Sequence, residues 1–345
     1  MKIFYKILFI FIILVILGAG FILTIQYNIN RPASAEDKKV VFEIEKGEKI
    51  DSIAQNLKTK SLIRSELSFK IYLAYSGKSK DIQYGDFVLA QNLTTKEIVN
   101  KITDSNLSQN KITIIEGWRL WQIAQYLEQK GIVKENDFVN QAKVANYIDQ
   151  FSFLTGLPQN ASLEGFLFPD TYLVSKDTNS DKIIIDMLKN FDQKFDDSMR
   201  AKITEQNKTI LQIVTLASIV EREVPNKDDR AQVAGLYWNR LAQGMKLEAD
   251  PTVQYAKDNQ SPPQKYDDFW PKVTAQDYQN INSQYNTYQI AGLPPGPICN
   301  PGLDAIKTTI YYNQNDYLYF FNTKDGKTIY SKTNEEHEDN LKKYL

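Results

Sequence analysis

Residues 208–256 read KTILQIVTLASIVEREVPNKDDRAQVAGLYWNRLAQGMKLEADPTVQYA, and their punctuation predicts two helices joined by a short turn. Thr209 is suited to cap the first helix, which must stop before Pro225 because a residue preceding proline is pushed out of the helical region. The second begins near Asn226, with Asp228 and Asp229 placed to favour the positive end of its dipole, and stops at Gly244. Winding the first helix at about 100° per residue sets Glu221 within roughly 20° of Val214 and Ile210, on the apolar arc. Glu223 falls at about −160°, beside Gln212 and Thr215. A carboxyl group on an apolar face loses solvation and holds its proton to higher pH, which makes Glu221 the candidate acid. The same position also suits a structural salt bridge from Glu221 to Arg222 or Arg240, and the periodicity leaves both readings standing.

Outward from this hairpin the composition narrows the chemistry. The chain has 345 residues, 42% hydrophobic and 24% charged, enough for two or three domains with their own cores. Its 41 basic and 42 acidic residues lack the basic excess of a nucleic-acid binder. One cysteine, Cys299, cannot form an internal disulfide, and one histidine cannot supply a His-rich metal site. That histidine, His337, sits in the polar run NEEHEDN and reads as a solvated surface residue. If the protein is an enzyme, its proton carriers are therefore carboxylates.

At the amino terminus ILFIFIILVILGAGFILTI, Ile7 to Ile25, is uncharged over about the length that crosses a bilayer as a helix. Lys2 and Lys6 precede it, so the positive-inside rule places residues 1–6 in the cytoplasm and the body outside. A cleaved signal peptide is the competing reading, on the small residues Ala33–Ala35, but the apolar run is longer than such peptides carry. Residues 26–39 read as a polar linker.

FEIEKGEKIDSIAQNL from Phe42 aligns without gaps on ITIIEGWRLWQIAQYL from Ile112, sharing Ile, Gly, Ile, Ala, Gln and Leu at six positions. Each copy predicts a short strand, a glycine turn and a helix, with a further helix start in SLIRSELSF or GIVKENDF. This order resembles the glycan-binding LysM module, and the duplicated region is set at 40–160. A duplicated scaffold with no ligand is the alternative.

Beyond it SLEGFLFPDTY leads to a helical stretch near Asp181–Phe195. YNTYQIAGLPPGPICNPG, Tyr285 to Gly302, carries four prolines and three glycines and reads as an ordered irregular loop. YLYFF, Tyr317 to Phe321, reads as a buried strand. The fold class is α+β: a single transmembrane helix over 7–25, a LysM-like α/β module, and a mixed α+β catalytic domain over 161–345.

The membrane segment, the LysM-like part, SLEGFLFPDTY, ASIVEREV, VAGLYWNRLAQGMKLEADPTVQYA, YNTYQIAGLPPGPICNPG, YLYFF and the late EEH together resemble the endolytic murein transglycosylases of the MltG or YceG-like family. The resemblance covers essentially the whole chain. It implies a membrane-anchored lytic transglycosylase that cleaves the MurNAc–GlcNAc β-1,4 bond of nascent peptidoglycan with no metal and no cofactor, leaves 1,6-anhydro ends and limits strand length. It matches the glutamate of the ASIVE motif to Glu221. It also implies sugar-binding roles for Tyr285, Asn286, Thr287 and Tyr288 in the loop and for Asp250 and Gln254 after the second helix. Glu164 is the candidate second carboxylate or orienting group. For all of these a purely structural role is the alternative. Penicillin-binding proteins and other cell-wall synthesis proteins are the implied protein partners. The chain departs from the family at Thr328, where a histidine is common. A water-using muramidase and a non-catalytic peptidoglycan-binding scaffold are the competing functions.

Overall fold

The computed structural model describes residues 2–104, 109–175 and 178–345. It divides the chain into two compact units, Met1–Ile112 with Leu173–Asp177, and Thr113–Tyr172 with Thr178–Leu345.

The first unit opens with helix α1, Lys2–Asn30, of which Phe4–Asn30 is long and apolar enough to cross a membrane, with a mean hydropathy of 3.1. The helix runs through Asn30, so the first residues of the expected linker are helical. The remainder is tied down, since Arg64 donates from Nε to the Pro32 carbonyl at 2.7 Å and the Ser34 N–H donates to Gln91. Strand β1 (Lys39–Ile44) is followed by helices α2 (Ile50–Thr59) and α3 (Glu66–Tyr75) and by strand β2 (Gly85–Ala90). β1 and β2 pair antiparallel from Lys39 opposite Ala90 to Ile44 opposite Gly85. The alternation of the strand buries Phe42 and Ile44 on one face. They pack on Ile53, Leu57, Phe69 and Leu73 of the two helices and on Phe87 and Leu89, each fully buried side chain contributing about 1.5–3 kcal/mol. Helix α4 (Thr95–Ile102) is capped by a reciprocal Thr94–Glu97 box. Strands β3 (Gln109–Thr113) and β4 (Thr171–Ser175) extend the sheet to the order β1-β2-β3-β4.

The second copy of the repeat has the expected local form. Gly117 at φ +81° repeats the turn of Gly47 at φ +83°, a left-handed conformation in which glycine carries no steric cost. Helices α5 (Leu120–Gln129) and α6 (Glu135–Gln141) follow. These helices belong to the second compact unit, which begins at Thr113. The cause is a set of buried polar ties that only this copy has. Arg119 pairs with Asp258 at 3.0 Å with both side chains almost fully buried, and Gln122 Nε2 donates to the Tyr266 carbonyl at 2.8 Å.

The second unit continues with helices α7 (Ser180–Lys194), α8 (Asp197–Glu205), α9 (Ile210–Glu223), α10 (Arg230–Ala242), α11 (Asp250–Gln260), α12 (Ala275–Asn280) and α13 (Leu303–Ile310). A hairpin of β5 (Tyr319–Asn322) and β6 (Thr328–Ser331) and helix α14 (Asn334–Tyr344) complete it. The α9–α10 pair forms as expected, except that α10 starts at Arg230 and not near Asn226, leaving Asp228 and Asp229 in the turn before it. Thr209 caps α9 in a reciprocal box with Gln212, and Gly244 adopts φ +68° after α10. A 3-10 turn, Lys227–Asp229, forms the connection. α9 is the central helix, packed against α8, α10, α11 and α13. Every residue from Ile213 to Val220 is buried, Thr215 and Ser218 included. Gly235 lets α10 pass directly under the Asn313 carbonyl, where a Cβ would lie 2.2 Å from its oxygen.

Candidate active site

The two glutamates that end α9 have unlike surroundings. The Glu221 side chain is only 7% exposed, and both its oxygens are taken. Oε1 receives Arg230 Nη2 at 2.7 Å and Oε2 receives the Gly302 N–H at 2.9 Å. Arg230 is itself buried, bonded through Nε to the Val224 carbonyl and through Nη1 to Asp304. Glu221 thus lies in a buried ion pair, and its partner is neither Arg222 nor Arg240. Arg222 instead stacks over Trp270, and Arg240 pairs with Glu248 at 3.1 Å.

Glu223 is half-buried and lines a cavity of about 370 Å³, within the size range of small-ligand sites. Burial, reinforced by the charge of Asp250, pushes its carboxyl up to about 8 from an ordinary 4.5. The cavity is built from α9, α10, the start of α11, the 285–302 loop and the β5 hairpin. Its wall includes Tyr237, Arg240, Glu248, Asp250, Tyr288, Tyr319, Phe320, Asn322 and His337. Aromatic rings and hydroxyl or carboxylate tips therefore alternate around a carboxyl group that keeps its proton at neutral pH.

The loop from Tyr285 to Gly302 has no helix or strand, as expected, and is fixed by buried polar bonds. Ser218 of α9 accepts from the Ile298 N–H at 3.0 Å. Asn300, fully buried, accepts from the Gly165 and Leu167 N–H groups and donates to Glu164 and to the Trp118 carbonyl.

Two of the sequence candidates face the cavity. Asp250 lines it and accepts from the Tyr288 hydroxyl at 2.7 Å, while the Tyr288 ring stacks on Tyr278 at 4.1 Å. The others do not line it. Asn286 is fully buried and spends its amide on the Tyr278 and Ile281 carbonyls. Thr287, equally buried, bonds Thr252 at 2.8 Å and the Ala249 N–H at 3.0 Å. Tyr285 packs on Tyr255, and Gln254 donates to the Pro271 carbonyl. Glu164 is buried away from the cavity, accepting from the Leu120 N–H and Asn300, and burial raises its carboxyl to about 8.

Three features of the site escaped the sequence. Glu223 fell on the nominally polar side of the wheel, but α9 is enclosed, so that side meets the cavity. Tyr319, Phe320 and Phe321, expected in a buried strand, are half-buried and form the cavity wall. His337, expected in solvent, is half-buried, stacks on Tyr319 and borders the same cavity. Burial holds its imidazole below the usual range, and its Nδ1 has no partner among the described residues. Thr328, at the position where the family commonly has a histidine, bonds Asp229 at 2.9 Å. Among the described residues no cluster of His, Cys, Asp or Glu is arranged to hold a metal ion.

Comparison with known proteins agrees with this architecture. The model of the YceG-like family matches residues 42–343. The endolytic murein transglycosylase of Bacillus subtilis (strain 168) is 32% identical over 332 residues, covering 91% of this chain and 87% of the relative. That of Streptococcus pneumoniae serotype 2 (strain D39) is 30% identical over 367 residues, and the match takes in 97% of this chain but 64% of the longer pneumococcal protein. A crystal structure of a yceG-like protein from Listeria monocytogenes, 32% identical, superposes with a TM-score of 0.58 over 88% of this chain and 99% of that one. With one family pattern running from β1 to the last helix, the chain belongs to the YceG-like family.

Proposed function

We propose that this protein is a lytic transglycosylase of peptidoglycan that cuts glycan strands internally, at the bond between N-acetylmuramic acid and N-acetylglucosamine. The carrying observation is Glu223, a carboxyl raised to about 8 in an aromatic-walled cavity. The relatives named endolytic murein transglycosylases supply the substrate class.

Protonated Glu223 donates its proton to the glycosidic oxygen as the bond from C1 of the muramic acid breaks, and the N-acetylglucosamine end leaves as an alcohol. Positive charge develops at C1 and its ring oxygen, and Asp250, on the same cavity, offers a negative charge to meet it. The C6 hydroxyl of the same sugar then attacks C1, and its proton passes to the Glu223 carboxylate, which restores the acid. The product is a 1,6-anhydro end. An internal nucleophile brings a high effective molarity and removes the need for a bound water. One carboxyl then performs both proton transfers, and Glu221 acts as a positioning residue that ties the end of α9 to α10 and Gly302.

The resemblance matches the family motif to Glu221, and the raised carboxyl on the cavity supports its neighbour two residues on. A second carboxylate in the cavity, Asp250, is the observation that favours the muramidase alternative, because water-using glycosidases employ a pair. Digestion of purified glycan strands followed by mass spectrometry separates the two. Anhydro ends are expected, and reducing ends in their place would establish the muramidase. Intact strands would leave the binding-scaffold reading.

In the cell, α1 anchors the protein with its amino terminus in the cytoplasm and its body outside, where it limits the length of nascent strands beside penicillin-binding and other synthesis proteins. The βααβ order of the first repeat copy supports a LysM-like, glycan-binding role for that unit.

A further inference from the structure

Helix α3 carries an apolar stripe that the first unit leaves uncovered. Leu67, Ile71 and Tyr75 are spaced four apart and fall on one face. They are 49%, 37% and 88% exposed. The stripe does not stand alone. Ile71, Tyr72 and Tyr75 form one side of a groove whose other side is Phe21, Ile22 and Ile25 of α1. Phe21 and Ile22 are themselves exposed. Two helices of the unit thus present a single apolar surface.

The place of this surface along α1 identifies what covers it. About 20 residues at 1.5 Å each cross a hydrocarbon core of roughly 30 Å. Counted from Ile7, such a span ends near Gln26, so Phe21 to Ile25 occupy its outermost turn. The unit is fastened to the helix just above that turn. Thr95 donates to the Asn28 carbonyl at 3.2 Å, and the Arg64 guanidinium lies over the Tyr27 ring at 5.4 Å. The carboxy-terminal end of α3 is therefore carried down beside α1 to the boundary between acyl chains and headgroups. Tyrosine is enriched at that depth because its ring is apolar and its hydroxyl is wet. Basic groups are in place for the headgroups: Lys96 lines the groove, and Lys78 and Lys80 follow α3 directly.

We propose that the Leu67–Ile71–Tyr75 face of α3 rests in the outer interfacial layer of the bilayer, its apolar side chains against lipid tails beside α1 and Lys78, Lys80 and Lys96 against anionic headgroups. The first unit is then held on the membrane surface and does not hang from a tether. This rests on the reading of α1 as a membrane span, and the test separates the two.

The full chain carrying Cys299→Ser receives a single nitroxide at Tyr75→Cys, at Leu14→Cys in α1, or at Gln55→Cys on exposed α2. Each is reconstituted in vesicles of phosphatidylcholine and phosphatidylglycerol. Collision rates are measured with oxygen, which concentrates in lipid, and with a polar nickel chelate. The labels at positions 14 and 75 should favour oxygen several-fold over the label at 55. A position-75 label as open to nickel as that at 55, with position 14 still in lipid, overturns the docking and leaves the span standing. Shielding of position 75 from both agents means that protein covers the face, and likewise overturns it. Exposure of position 14 to nickel removes the span and the docking together.

Discussion

Replacing Glu223 by glutamine should abolish cleavage and strengthen the fold above neutral pH, a combination that a structural carboxylate cannot produce. With its carboxyl at about 8, roughly nine-tenths of the molecules carry the proton at pH 7. An ordinary glutamate at 4.5 would carry it in about one molecule in 300. Losing a general acid and base typically costs about 10²–10⁴ in rate, or roughly 3–5 kcal/mol of barrier. The stability effect has a definite sign. Between about pH 4.5 and 8 the folded state binds this proton and the unfolded state does not, so stability falls as pH rises through that window. A displacement of about 3.5 pKa units sets a ceiling near 5 kcal/mol, reduced by the partial exposure of the group. Glu223→Gln removes that penalty. Glu221→Gln does the reverse, since it takes the carboxylate from buried Arg230. Stripping a buried charge of its partner costs about 3–5 kcal/mol, and the remaining bond to Asp304 keeps the loss nearer the lower end. Anhydro-end formation and thermal melting are measured for both variants from pH 5 to 9. Wild-type activity should hold up to about pH 8 and fall above it. An active Glu223→Gln, or a Glu221→Gln that is inactive with unchanged melting at every pH, would refute the assignment.

Two further substitutions separate framework from chemistry. Glu164→Gln should flatten the dependence of melting temperature on pH between about 5 and 8, because the Glu164 carboxyl is also raised to about 8 and its stability contribution falls over the same window. The alkaline limb of the activity profile should stay in place, and its movement would bring Glu164 into the cavity chemistry. Asn286→Ala leaves the Tyr278 and Ile281 carbonyls without their buried donor and should destabilise the fold by about 2–3 kcal/mol. A loss seen only in KM, with unchanged melting, would restore the sugar-binding role implied by the resemblance.

Local signals carried most of the fold. The Thr209 cap, Pro225 and Gly244 bracketed the central hairpin because capping and proline geometry act over a few residues. The repeat placed Gly47 and Gly117 in equivalent left-handed turns for the same reason. Long-range ties were not legible: Arg119 finds Asp258 139 residues away, and that pairing, with others like it, moves the second repeat copy into the other unit. The site shows the same division. A helical wheel assigns faces by assuming that one side meets the core and the other water. α9 breaks the assumption because its midsection is enclosed all round, so its nominally polar side faces a cavity that a carboxyl can use, and its apolar arc ends at an arginine. Arg230 reaches Glu221 only because the Val-Pro turn folds α10 back, placing a cation nine residues downstream against the carboxylate. Periodicity narrowed the question to two glutamates two residues apart. What tells them apart is an arginine and a backbone amide at residue 302, neither of which belongs to the helix itself.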